Sequence, residues 1–516
     1  MTYPITLKVL LLMAGFILMF NAAFGADIRD YLDPEEVHAI ESVTSLKLTG
    51  TITMSGLTGT FERTFMAPNL SHTTVDLGVI QFSQGFDGTT AWAMDQNQQV
   101  MALSGLDLRK TINEVYISSG AYIVDGRMPG SVTYQKDTLI NDVIYHMFFV
   151  MPEGGDSLWV LINDNTKRVE ITKEYLDELV VYGYSSNFRK IDGMSIAFMV
   201  TAEASNALMS YTMAVTSAEV NVPVDRALFA MSTDDKIDYV FPAGRDSVVV
   251  PVQYHNGHLS IAAEVGGKTR RFILDTGAGM NVFDAKFAAE LGLDQSGRLP
   301  AKGISGYDTT AITEIDTLTV SSIALIHQKA SVFDFGGIDL GVPGKFGGIL
   351  GYDFLSRLPF RVVYDVPQIV FYDPERFAPP DSAAVLDFEL FMKTPIITAD
   401  LDGCPGRYLV DLGNNRGLIL HGEYVDNCDL RERLTDWKAM GGVGGVGGVS
   451  DAFAAVGYGL HLGTVIMETV PLLVAQGESG IIRSTEVDAN IGNLLLEKFS
   501  PLFDYSDRTI YLLPKE

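Results

Sequence analysis

Leu259–Phe283 reads LSIAAEVGGKTRRFILDTGAGMNVF, and Pro395–Leu420 reads PIITADLDGCPGRYLVDLGNNRGLIL. Each is an apolar strand, a glycine turn, a basic residue, a second apolar strand, then Asp-x-Gly and a third apolar run. Downstream, Gly348-Ile349-Leu350-Gly351 followed by Phe354-Leu355 corresponds to Asn490-Ile491-Gly492 followed by Leu494-Leu495-Leu496. Tyr364-Asp365 corresponds in the same way to Phe503-Asp504, each leading into a closing strand. Asp411 follows Asp275 by 136 positions and Gly492 follows Gly351 by 141. Two motifs repeated at nearly one offset read as an internal repeat of two β-lobes, each about 125 residues long. Their expected spans are 248–382 and 383–516.

The repeated aspartate carries the chemistry. Asp275-Thr276-Gly277-Ala278 ends the strand Arg271–Leu274, and Asp411-Leu412-Gly413-Asn414 ends its counterpart. Two carboxylates a few ångströms apart cannot both ionise; they share a proton and supply an acid and a base together. Glycine after the aspartate is expected to permit a tight turn that aims the carboxylate out of the strand.

These residues resemble the retropepsin and pepsin class of aspartic proteases, in which a hydrophobic-Asp-Thr/Ser-Gly loop is paired with a later hydrophobic-hydrophobic-Gly element. The resemblance covers roughly Val248–Glu516. It implies two acid-protease β-barrel lobes in one chain and an aspartic-type endopeptidase that activates water with Asp275 and Asp411. It further implies a polypeptide substrate and neither cofactor nor metal. Thr276, Gly277, Ala278, Leu412 and Gly413 would form the active-site loops, with the Thr276 hydroxyl bracing them across the lobe interface. Leu412 stands where the family has Thr or Ser, which leaves three readings open. Asp275 and Asp411 pair in one cleft; or the second lobe is a degenerate scaffold and Asp275 pairs across a homodimer; or catalysis is lost and a peptide- or lipid-binding pseudoprotease remains. Gly303, Ser305, Gly306 and Tyr307 are candidates for a flap over the substrate, and Gly444 and Gly445 for its counterpart. The run Gly441–Gly448 formally contains G-x-G-x-x-G, but no Rossmann context surrounds it.

Residues 26–232 read as a separate domain of many short strands, among them Leu46–Met54, Val143–Met151, Leu158–Ile162 and Ile196–Ala202. A helix is expected at Pro34–Val43, with Glu35 and Glu36 in its first turn. The stretch Gly85-Phe86-Asp87-Gly88-Thr89-Thr90-Ala91-Trp92 resembles a segment of the lipoprotein-carrier-type half-barrels of exported bacterial proteins. That resemblance implies an antiparallel half-barrel and a lipid or other hydrophobic ligand; a purely structural β-domain is the alternative. Residues 233–247 are polar and acidic and read as a linker. The expected fold class is mainly β throughout.

Composition bounds the rest. The chain has 516 residues, 47% of them hydrophobic, and a net charge of −27, which speaks against nucleic-acid partners because phosphate binding needs clustered Lys and Arg. His255 and His258 do not make a metal site, and no H-E-x-x-H or G-x-S-x-G occurs. Lys8, the apolar run Val9–Phe20 and the small residues Ala23 and Gly25 read as a signal peptide over 1–25, giving an exported protein, periplasmic or secreted. An uncleaved anchor is the alternative. In an oxidising compartment Cys404 and Cys428 could close a disulfide loop that stabilises by about 3 kcal/mol; two free thiols are the other reading.

Overall fold

A computed structural model of the chain describes residues 26–232, 236–336 and 340–515. The expected signal peptide lies outside the described residues. The protein is mainly β, as expected, in three large sheets.

The N-terminal unit is one antiparallel sheet of thirteen strands. Its centre is the pair Ser45–Met54 and Tyr211–Val220. From there hairpins fan out to one edge at Val100–Ala102 and to the other at Gly130–Ile140. The helix Gly105–Ser118 carries the chain from the first edge to the second. The expected N-terminal helix spans Pro34–Ser42. Asp33 caps it by accepting from Glu35 N at 3.0 Å, and proline at the first position has no N–H to leave unpaired. Apolar residues on alternate strand positions bury Phe61, Phe65, Ile196 and Phe198, none more than 6% exposed. Truncating such a phenylalanine to alanine costs about 3–5 kcal/mol.

Two further β units follow the same local plan. In the first, His258–Val265 and Lys268–Leu274 pair through Gly266-Gly267, both at positive φ (57° and 71°), the backbone that a two-residue hairpin loop of matching twist requires. In the second, Thr394–Leu401 pairs with Cys404–Val410 through Asp402 and Gly403, also at positive φ. Lys268–Leu274 then runs parallel to Phe346–Leu350, and Cys404–Val410 runs parallel to Ala489–Ile491. A third set of strands joins the units: Ser247–Pro251, Gln368–Tyr372, Phe360–Val363, Phe499–Asp504, Thr509–Pro514 and Ala384–Phe391 lie side by side in that order. Phe360 from the first unit stacks on Phe503 from the second at 4.9 Å, and one apolar core runs through both.

The stretch read as a linker is partly built into this core. Asp238 is 3% exposed and accepts from Arg357 at 2.8 and 2.9 Å and from Gln328 at 2.9 Å, while Tyr239–Val240 pairs with Leu325 and Ala324. Acidic composition suggested a solvated connector, but the partner guanidinium lies 119 positions away and composition is blind to it. Cys404 and Cys428 form a disulfide with 6.1 Å between their Cα atoms.

Candidate active site

Burial of Phe272, Ile273 and Leu274 ends the strand in the protein interior, and the chain leaves it through Asp275, whose N–H donates to Leu350 O at 3.0 Å. Its carboxylate then accepts from Gly277 N at 2.8 Å. The second loop is built alike. Asp411 N donates to Ile491 O at 2.9 Å, and Asp411 Oδ1 accepts from Gly413 N at 2.7 Å and Asn414 N at 3.1 Å.

The two loops face each other at contact distance. A Cβ placed on Gly413 would fall 2.3 Å from Asp275 Cγ, and one on Gly277 would fall 2.7 Å from Asp411 Cγ. Neither glycine has positive φ. Each glycine does lie in the expected turn, but the demand for glycine there comes from the opposite carboxyl, which rests on its α-carbon. The Asp275 and Asp411 carboxyls thus face each other, each against the glycine of the other loop. Burial, then the Asp411 charge, then hydrogen bonding with Asp411 hold the Asp275 carboxyl well above its ordinary value, with the Gly277 and Ala278 amides pulling weakly the other way.

The bracing between loops runs through one hydroxyl. Thr276, fully buried, donates to Val410 O at 2.7 Å and accepts from Leu412 N at 2.9 Å. Leu412, also fully buried, contributes its backbone to this bridge and its side chain to the core. Its carbonyl accepts from Asn493 Nδ2 at 2.6 Å, and Asn493 in turn accepts from Tyr364 of the first unit at 2.7 Å. Ala278 supplies a carbonyl to Tyr352 N at 2.8 Å.

Two hairpins, one from each β unit, meet at their tips. Ser296–Gly303 with Gly306–Val320 makes one, and Thr435–Gly445 with Gly448–Leu462 makes the other. A Cβ on Gly303 would lie 2.0 Å from Val446 O, and one on Gly447 would lie 2.4 Å from Gly306 C, so the tips interlock. Ser305 donates to Val443 O at 3.4 Å, and Ile482 N donates to Ile304 O at 3.2 Å. Of the flap candidates, Gly303, Ser305 and Gly306 form the first tip, Gly444 and Gly445 lead into the second, and Tyr307 sits beside its own tip facing away to the N-terminal sheet. Most of the glycine run Gly441–Gly448 is paired strand.

The family model named Aspartyl protease matches residues 261–354. That aspartyl-protease-like segment holds Asp275, Thr276, Gly277 and the Gly351 motif and ends before Asp411. No curated protein matches the chain. Among solved structures, an aspartic proteinase from Irpex lacteus is 13% identical over 52% of this chain and 98% of its own, with a TM-score of 0.35. A LolA superfamily protein from Nitrosomonas europaea is 12% identical over 40% of this chain and 98% of its own, with a TM-score of 0.30.

Three features of the aspartyl-protease-like site escaped the sequence reading. Asn490 Nδ2 donates to Asp411 Oδ2 at 2.8 Å; its local signal is a polar residue heading the Asn490-Ile491-Gly492 motif. Tyr505 is buried beside both aspartates, with its hydroxyl held well above the usual value chiefly by burial, then by Tyr352 and the two carboxylates. On the outer face of the first flap, Lys302 is 4% exposed between Asp177 and Glu178, which form the turn of an N-terminal hairpin. Tyr307 OH donates to Glu178 at 2.7 Å, and Asp177 also accepts from Thr485 N at 2.6 Å. The N-terminal sheet thus grips the flap and the second unit together. Separations of 125 and 308 positions put those partners beyond any local pattern.

Proposed function

We propose that the chain is an exported aspartic-type endopeptidase whose water is activated by Asp275 and Asp411. One observation carries the reading: two carboxyls from two separate strand ends face each other, each pressed on the glycine of the other loop. An ionised member takes a proton from water while oxygen attacks the peptide carbonyl, and the protonated member gives its proton to the carbonyl oxygen. The tetrahedral diol then collapses, the C–N bond breaks, and the nitrogen leaves with a proton as an amine. In this reading the hairpin tips Gly303–Gly306 and Gly445–Gly448 act as flaps that cover an extended peptide and exclude water, which their contact with each other supports. The Cys404–Cys428 bond supports an oxidising destination, in keeping with the leader-like residues 1–25. Cleavage of a peptide mixture at mildly acidic pH by residues 26–516, compared with Asp275→Asn, tests the reading. Equal behaviour of the two proteins would leave a peptide-binding pseudoprotease in its place.

A further inference from the structure

Asp275 and Asp411 do not receive the same hydrogen bonds. Asp275 accepts from the amides of its own loop, Gly277 and Ala278. Asp411 is met by Gly413 N and Asn414 N on Oδ1, and in addition by Asn490 Nδ2 on Oδ2 at 2.8 Å. Asn490 is 3% exposed, and a short relay fixes its amide orientation. The Arg416 N–H donates to Asn414 Oδ1 at 2.8 Å, so the other end of Asn414 must be the donor to Asn490 Oδ1, also at 2.8 Å. That leaves Asn490 Nδ2 facing Asp411. A backbone N–H cannot be reversed, so the whole relay is polarised toward Asp411.

Among the described residues, the first unit has no such relay. In the strand pairings Ile349 lies opposite Ile273 just as Asn490 lies opposite Leu409. Isoleucine offers no donor.

We propose that Asn490 is a positioning residue that keeps Asp411 the carboxylate of the pair and leaves the shared proton on Asp275. The inference rests on the hydrolytic reading above and deepens it. Hydrogen bonds to the charged form of a carboxyl favour that form, and Asp411 has one more, from a neutral side chain, than its partner. Other titratable groups reach the pair from each element packed on it. His258, on the strand His258–Val265, feels Asp411 and Arg416, and burial first of all holds it below its ordinary value, which disfavours its charged form. Tyr505 is an undissociated phenol. Asp411 therefore receives the proton from water as the new C–O bond forms, and Asp275 delivers its proton to the carbonyl oxygen. On collapse, Asp411 passes its proton to the departing nitrogen and Asp275 regains one from the diol, which closes the cycle with peptide and water converted to acid and amine.

The experiment is a titration of carboxyl-carbon NMR signals in [13C]Asp-labelled protein, with Asp275→Asn and Asp411→Asn supplying the assignments. In the native chain the Asp411 signal is expected to reach its carboxylate position at lower pH than the Asp275 signal. In Asn490→Leu the two signals draw together, and in Asn490→Ile/Ile349→Asn their order reverses. The reverse order in the native chain, or titrations untouched by Asn490→Leu, overturns the proposal. Because this reading needs no turnover, it stands apart from failure of the protease assignment, which shows as absent cleavage. Where cleavage is present, Asn490→Leu lowers kcat/KM about tenfold more on the acid side of the pH profile than near neutrality, whereas a purely structural loss lowers both sides equally.

Discussion

The Thr276 hydroxyl lies between the two backbone ends of the opposite loop, 2.7 Å from Val410 O and 2.9 Å from Leu412 N. A single threonine therefore joins the loops, and the leucine in the second loop costs the junction one of two possible hydroxyls, not the junction itself. Removing that hydroxyl in Thr276→Val strands a buried N–H and a buried C=O. A stability loss of about 2–4 kcal/mol is expected by denaturant unfolding, with Thr276→Ser near the native value.

Matching the second loop to the first by placing threonine at Leu412 is expected to harm the protein. Leu412 is fully buried in the apolar core. Leu412→Thr exchanges core packing for a hydroxyl in an apolar site, at a cost of about 2–4 kcal/mol on the same measurement. A stabilised variant would show that the second loop is merely an eroded copy of the first.

Gly277→Ala and Gly413→Ala test the contact between loops. A methyl at either place overlaps the opposite carboxyl and must displace it. Peptide cleavage is expected to drop at least about a hundredfold, since misplacement of a reacting group by an ångström has that effect. Circular dichroism of the folded state should change little.

The pH dependence of stability follows from Asp275. Its folded-state value is raised above the ordinary 3.8, so the group binds its proton more tightly folded than unfolded. Its contribution is complete below pH 3.8 and is lost as pH rises through the higher folded-state value. Asp275→Asn cannot ionise and loses nothing. Melting temperatures of the two proteins should approach each other at pH 3 and separate at pH 7, with the variant the more stable.

At the flap, Lys302→Met leaves Asp177 and Glu178 as buried carboxylates without their cation. The expected destabilisation is about 3–5 kcal/mol. Combining it with Asp177→Asn and Glu178→Gln should recover most of that loss, which thermal melts of the single and triple variants would reveal.

The legible parts of this protein are those written in local patterns. Alternation placed the strands, the acidic first turn placed the helix after Asp33, and the repeated Asp-x-Gly picked out Asp275 and Asp411. What stayed hidden depends on distant partners. Asp238 looked solvated because Arg357 is far along the chain, and the reason for Gly277 lies in a carboxyl from the other unit. Asn490 reads as one polar residue in an apolar strand until the Asn414 relay gives its amide a direction.

The six strands shared between the two β units have a consequence for concentration. A site assembled from two separate subunits comes apart on dilution, and its activity per molecule falls with it. Here Phe360 and Phe503 are stacked inside one continuous chain, and each unit completes the other's sheet. Either unit expressed alone would present unpaired strand edges and apolar surface, an invitation to aggregate. The intact chain needs no partner copy to bring Asp275 to Asp411, so its specific activity should be the same at nanomolar and micromolar protein.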